Sequence, residues 1–106
     1  MILEHALINV TPGSECAFEA DFAQAKSVLA SCPGCLRIQM HRGVEHPSRY
    51  LLLVEWETID DHLVGFRQSE NFTKWRAIIG PHFDGSPDVD HYEVLSSIRP
   101  DDDHDS

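Results

Sequence analysis

Five residues in the second half of the chain have types and spacing that could do chemistry. His62 and Phe66 stand four apart, Phe72 and Trp75 follow at helical spacing, and His91 comes later in "VDHYEV". A neutral imidazole can take a proton from a phenol near neutral pH, because its ordinary pKa of about 6.5 is close to the working pH. Aromatic side chains on one stripe would shield the resulting anion from water. This assigns His62 and His91 as candidate acid–base residues, and Phe66, Phe72 and Trp75, with His82 of "GPHF", as candidate substrate contacts. Each residue also has a plainer reading. Aromatic stripes usually pack a core. His62 next to Asp60 and Asp61 suits a solvated helix start, where the two carboxylates would favour its protonated form. His91 can face a pocket or a seam between subunits. Arg42 and Arg76 suit surface ion pairs better than an anionic substrate.

A second motif, Cys32-Pro33-Gly34-Cys35, has the spacing of a redox pair, of half a metal site, or of a simple turn. Cys32 falls at the C-terminal end of the first helix, where the negative end of the dipole disfavours a thiolate. A zinc site would need two more ligands, yet Cys16 stands alone and no second CxxC or HxxxH occurs. Pro-Gly is an ordinary helix-to-strand turn pair, and the turn reading is preferred. No metal ligand set is assigned. There is also no Gly-rich phosphate loop, HExxH or GxSxG.

The elements that must position these residues follow from periodicity. "ILEHALINV" reads as a strand closed by Thr11-Pro12-Gly13. Phe18, Phe22, Ala25 and Leu29 mark a helix between about 13 and 31. "CLRIQMHRG" alternates Leu36, Ile38 and Met40 against polar neighbours, giving a strand with one buried face; "VEHPS" is the hairpin loop. "RYLLLVEWE" is continuously apolar, as expected of a central strand buried on both faces. Thr58 caps a helix whose stripe is Ile59, Leu63 and Phe66, and Ser69 caps a second helical piece that ends at Gly80-Pro81. "VDHYEVLSSI" is the last strand. The order β-α-β-β-α-β predicts an α+β ferredoxin-like plait, a four-stranded antiparallel sheet with both helices on one face. The other face also carries apolar residues, so a second copy is expected to cover it, making a homodimer.

The chain of 106 residues suits one domain, placed at 1–98, with an acidic tail at 99–106 expected to be disordered. The formal net charge of −10, from 18 acidic and 8 basic residues, argues against nucleic acid and anionic membrane surfaces as partners. No apolar run reaches membrane-spanning length, no signal pattern opens the chain, and three cysteines cannot all pair internally. A cytoplasmic location is expected.

"PGC" opening the second strand, "YLLLVEWET" leading into a helix, "FRQSENFTKWRAIIGPHF" and "VDHYEVL" together resemble the antibiotic biosynthesis monooxygenase (ABM) domain, over Ile2 to about Leu95. The resemblance implies a dimeric α+β barrel and, in the better-known enzymes, oxidation of aromatic polyketides or quinols by O₂ without metal or flavin. It implies a ligand between helices and sheet. A haem-degrading branch of similar proteins uses Asn, Trp and His at places held here by Ala6, Phe66 and Arg76, and Asn9 should point to the opposite sheet face. Two function classes therefore stand: a cofactor-independent monooxygenase acting on a small aromatic or quinol-like substrate, and a non-catalytic dimeric module holding a small hydrophobic ligand. A polar group inside the pocket discriminates between them.

Overall fold

The computed structural model describes residues 1–100. The expected acidic tail, apart from Arg99 and Pro100, lies outside the described residues. Four strands, β1 (Ile2–Asn9), β2 (Cys35–Arg42), β3 (Arg49–Trp56) and β4 (Asp88–Glu93), form one antiparallel sheet in the order β2-β3-β1-β4. The helices α1 (Glu15–Ala30) and α2 (Glu70–Ile79) complete the ferredoxin-like α+β plait that the element order predicts. A wide helical turn at Asp61–Phe66 precedes α2, and a single 3₁₀ turn at Gly80–His82 follows it.

The core lies between helices and sheet. Strand residues of one parity, Ala6 and Ile8 of β1 with Tyr50, Leu52, Val54 and Trp56 of β3, are buried against Phe18, Ala25 and Leu29 of α1 and Trp75 and Ile79 of α2. Burying the larger of these side chains is worth roughly 1.5–3 kcal/mol each. The hydroxyl of Tyr50 donates to Glu19 at 2.6 Å, which fixes α1 over β3. Asn9 is exposed, on the face opposite Ala6.

Several local expectations change. β3 is buried on one face only; Leu51 and Leu53 on the other are half-buried. The inward alternation of β2 is interrupted by a bulge between Cys35 and Arg37, so Leu36 is 56% exposed and Cys35 packs against the core in its place. β4 stops at Glu93 rather than near Ile98, because Glu93 pairs with Ile2 and β1 offers almost no residue beyond it. The outer sheet face presents Leu3, His5, Leu7, Leu51, Leu53 and Tyr92, and among the described residues no layer covers it.

The Cys-Pro-Gly-Cys segment is a turn with a mechanical task. Cys16, Cys32 and Cys35 are all free thiols. Burial, with Cys32 and Glu4 nearby, pushes the Cys35 thiol up to about 11, the reverse of a reactive thiolate. Gly34 has φ +85°, and its carbonyl accepts from the Glu57 amide at 2.8 Å. A Cβ at Gly34 would collide with the Asp61 side chain. The turn thus seats the Thr58–Asp61 corner, and that corner carries His62.

Candidate active site

A cavity of about 400 Å³ opens between α2 and the sheet. Phe66, Phe72 and Trp75 wall it, with Ile8 and Val89 on the sheet side and Phe83 from the loop after α2. Ser69 caps α2 by accepting from the Phe72 amide, and this phases Phe72, Trp75 and Ile79 onto the inner side. The rings meet edge to face: Phe66 lies 5.3 Å from Phe72 at 84° and 6.2 Å from Trp75 at 77°.

The turn before α2 sets the polar end of the cavity. Thr58 and Asp61 cap it reciprocally: the Thr58 amide donates to Asp61 Oδ2 at 3.0 Å, and the Asp61 amide donates to Thr58 Oγ1 at 3.2 Å. The Arg67 amide donates to the His62 carbonyl, five residues back, at 2.9 Å, so the turn is wider than an α-helix. Its buried residues are His62 and Phe66, whereas Ile59 and Leu63 are 40% and 38% exposed. The expected stripe is therefore replaced by one that carries an imidazole.

His62 is not a solvated helix-start residue; it is 2% exposed and lines the cavity. Its ring stacks on Trp56, with centroids 5.2 Å apart. Asp61 is turned back to the cap, and burial, helped by His91 and Arg67, pulls the His62 pKa down to about 4. The neutral form is favoured, opposite to the expectation from its acidic sequence neighbours.

Sequence reasoning missed the residue that faces it. Glu4 is 5% exposed in the centre of β1 and lines the cavity. The indole Nε1 of Trp56 donates to Glu4 Oε1 at 2.9 Å, and His62 Nε2 lies 3.3 Å from the same oxygen. Burial raises the Glu4 pKa from 4.5 to about 7, against the opposing effects of the Trp56 hydrogen bond and Arg67. Both shifts favour uncharged groups, so between pH 4 and 7 the contact is one between neutral partners rather than an ion pair.

The chain of contacts continues outward. His62 Nδ1 lies 2.7 Å from His91 Nε2. The sheet register explains the meeting, since Glu4 pairs with His91 on one side and Val54 on the other, on the inner face. His91 is half-buried and does not line the cavity; burial first, then Arg67, lowers its pKa against the pull of Asp90. Trp56, Glu4, His62 and His91 thus form one row of close polar contacts from the cavity to its outside, hydrogen-bonded at Trp56–Glu4 and at His62–His91. A neutral imidazole has one donor and one acceptor nitrogen, so the row can carry a proton in either direction.

His82 does not reach the cavity. Its Nε2 meets Asp21 Oδ2 of α1 at 2.7 Å, and Phe83 occupies the wall position beside it. Arg42 pairs with Glu19 at 3.1 Å, as expected of a surface arginine. Arg76, however, lines the cavity together with Arg67. Among the described residues no three His, Cys, Asp or Glu side chains gather as a metal site, and no helix is long and apolar enough to cross a membrane.

This plait, with an aromatic cavity under α2, belongs to a known class. The family model for antibiotic biosynthesis monooxygenase matches residues 1–78, and the chain belongs to that family. It is 34% identical over 93 residues to the Uncharacterized protein YczJ of Bacillus subtilis (strain 168), covering 88% of this chain and 98% of that one. A crystal structure from Bordetella bronchiseptica carrying the same family designation is 44% identical with a TM-score of 0.87, over 90% of this chain and 97% of that one. A crystal structure of a mutant of SnoaB, a cofactor-independent oxygenase from Streptomyces nogalater, shares the fold at 15% identity with a TM-score of 0.78, over 92% of this chain and 95% of that one.

Proposed function

We propose that the protein is a cofactor-independent monooxygenase of small aromatic or quinol-like substrates, with Glu4 and His62 together as the base. The observation that carries this reading is the placement of Glu4 and His62, 3.3 Å apart, inside an otherwise largely aromatic and aliphatic cavity. A purely apolar pocket would suit a binding module, whereas a carboxyl held near pH 7 is matched to proton abstraction at neutral pH. Glu4 takes a proton from the substrate's phenol or activated CH₂. The carbanion form passes one electron to O₂, and the radical pair joins as a peroxide. With a proton returned, the peroxide expels water and leaves a carbonyl, so one oxygen atom enters the substrate and the other leaves as water. Phe66, Phe72 and Trp75 keep bulk water from the anion. The row through His62 to His91 gives the abstracted proton a way out. The test is oxygen consumption with a panel of quinols and anthrones, without added metal or flavin. Turnover above background that depends on Glu4 supports the reading, and no consumption with any member overturns it.

The same reading includes a homodimer. Leu3, Leu7, Leu51 and Leu53 are only half-buried on a sheet face that no helix among the described residues covers. A second copy packed on that face by a two-fold axis would bury it without touching the cavity on the opposite side. Light scattering at micromolar concentration is expected to give twice the chain mass, and a monomer mass throughout would remove this part of the proposal.

A further inference from the structure

The aromatic cavity has a charged rim that the chemistry above does not use. Arg67 and Arg76 both line it, one following the wide turn and the other from α2. Their guanidinium carbons lie 5.2 Å and 5.9 Å from the centroid of the same ring, Phe72, and Arg76 is also 5.9 Å from Phe83. Stacking of this kind holds a guanidinium plane in place while leaving its N–H donors free. Arg37 and Arg42 are paired with Glu55 and Glu19, but neither rim arginine has a carboxylate within 4.0 Å among the described residues. Two cations at one opening run against the composition of a chain with net charge −10.

We infer that the ligand of this cavity is an aromatic compound bearing an oxyanion group, a carboxylate or a phosphate ester, gripped by Arg67 and Arg76 while its rings lie between Phe66, Phe72 and Trp75. The inference rests on the reading that this cavity is the substrate site, and it does not depend on the reaction being an oxygenation. Guanidinium groups bind planar carboxylates and phosphates through paired N–H donors, and a charge-assisted pair is about twice as strong as a neutral hydrogen bond. The rim would also orient the ligand, holding the anionic end outward and turning the opposite edge of the ring system toward Glu4 and His62. A two-ring aromatic is compatible with the cavity of about 400 Å³.

The test is equilibrium binding with unreactive probes, so that failure of oxygen chemistry and failure of anion recognition are read separately. The full chain is titrated with 2-naphthoate, 2-naphthyl phosphate and the neutral 2-naphthamide, followed by calorimetry and tryptophan fluorescence. At least one oxyanion is expected to bind about tenfold more tightly than the amide. Arg67→Gln, Arg76→Gln and the double variant should erase that preference, bringing oxyanion affinity down to that of the amide, and should keep the fold, because both side chains are exposed and carry no part of the core. A preference for the carboxylate or for the phosphate identifies which oxyanion the rim fits. Equal or tighter binding of the amide, no saturable binding of either oxyanion, or an equal loss for all three probes in the arginine variants would each overturn the inference.

Discussion

Glu4→Gln is expected to lower turnover by about 10²–10⁴-fold while leaving the fold intact. The amide keeps the shape of the carboxyl, and its oxygen still accepts from the Trp56 indole, but it cannot hold an abstracted proton. In the natural protein kcat/KM should rise with pH to a plateau with a midpoint near 7, the value at which Glu4 ionises; the variant should lose that step. His91→Ala should cost less than Glu4→Gln, because His91 lies outside the cavity and serves only to pass the proton on. Turnover within a few-fold of the natural protein, with the same pH midpoint, would rule Glu4 out as the base.

The same variant should change stability in the opposite direction. Raising the Glu4 pKa from 4.5 to about 7 means that the folded state holds this proton more tightly than the unfolded chain. The stabilisation is complete below pH 4.5 and lost as pH rises through 7, a difference of roughly 3 kcal/mol. His62 acts with the opposite sign. Its pKa falls from 6.5 to about 4, so its contribution is complete above 6.5 and lost as pH falls through 4. The two slopes oppose each other between pH 4.5 and 6.5 and largely cancel. With Gln at position 4, the His62 slope stands alone, and Tm should climb steeply with pH across that range. Above pH 7 the variant should be the more stable protein. Parallel Tm-against-pH curves for the two proteins would contradict the burial of Glu4.

Trp75→Ala is expected to cost about 3–5 kcal/mol of stability. The indole is 5% exposed and packs edge-on against Phe22 at 6.0 Å and Phe66 at 6.2 Å. A domain of this size has about 5–15 kcal/mol in total, so the loss is a large fraction, measurable by urea denaturation. Because the same ring walls the cavity, affinity for an aromatic probe should fall in parallel. Trp75→Phe keeps a ring and should show both losses in reduced form. A Trp75→Ala protein as stable as the natural one would mean that the wall collapses around the missing ring.

Periodicity made the plait legible, because alternation in the strands and helical spacing in Phe18, Ala25 and Leu29 are local signals. Phe66, Phe72 and Trp75 could be read as one wall for the same reason. Glu4 was hidden among apolar neighbours. The available signal was its parity with Ala6 and Ile8, which places a carboxyl on the inward face of β1. Its partners could not be read, since they depend on register: Trp56 and His91 reach Glu4 only through β3 and β4. The protonation of His62 was misjudged because sequence neighbours on a helical turn point different ways, Asp61 to its cap and the imidazole to the core. Arg67 joined the rim through the wide turn, whose phase the sequence pattern does not carry.

The two ends of this polar row have separate positions along the chain. Glu4, Trp56 and His62 all fall within residues 1–78, the stretch matched by the family model, while His91 sits on β4 beyond it. Under the proposed mechanism, a substitution at position 91 would alter the way out for protons while leaving the aromatic chamber unchanged, because His91 forms none of its walls. Rate and pH response could thus be tuned from position 91 without rebuilding the chamber.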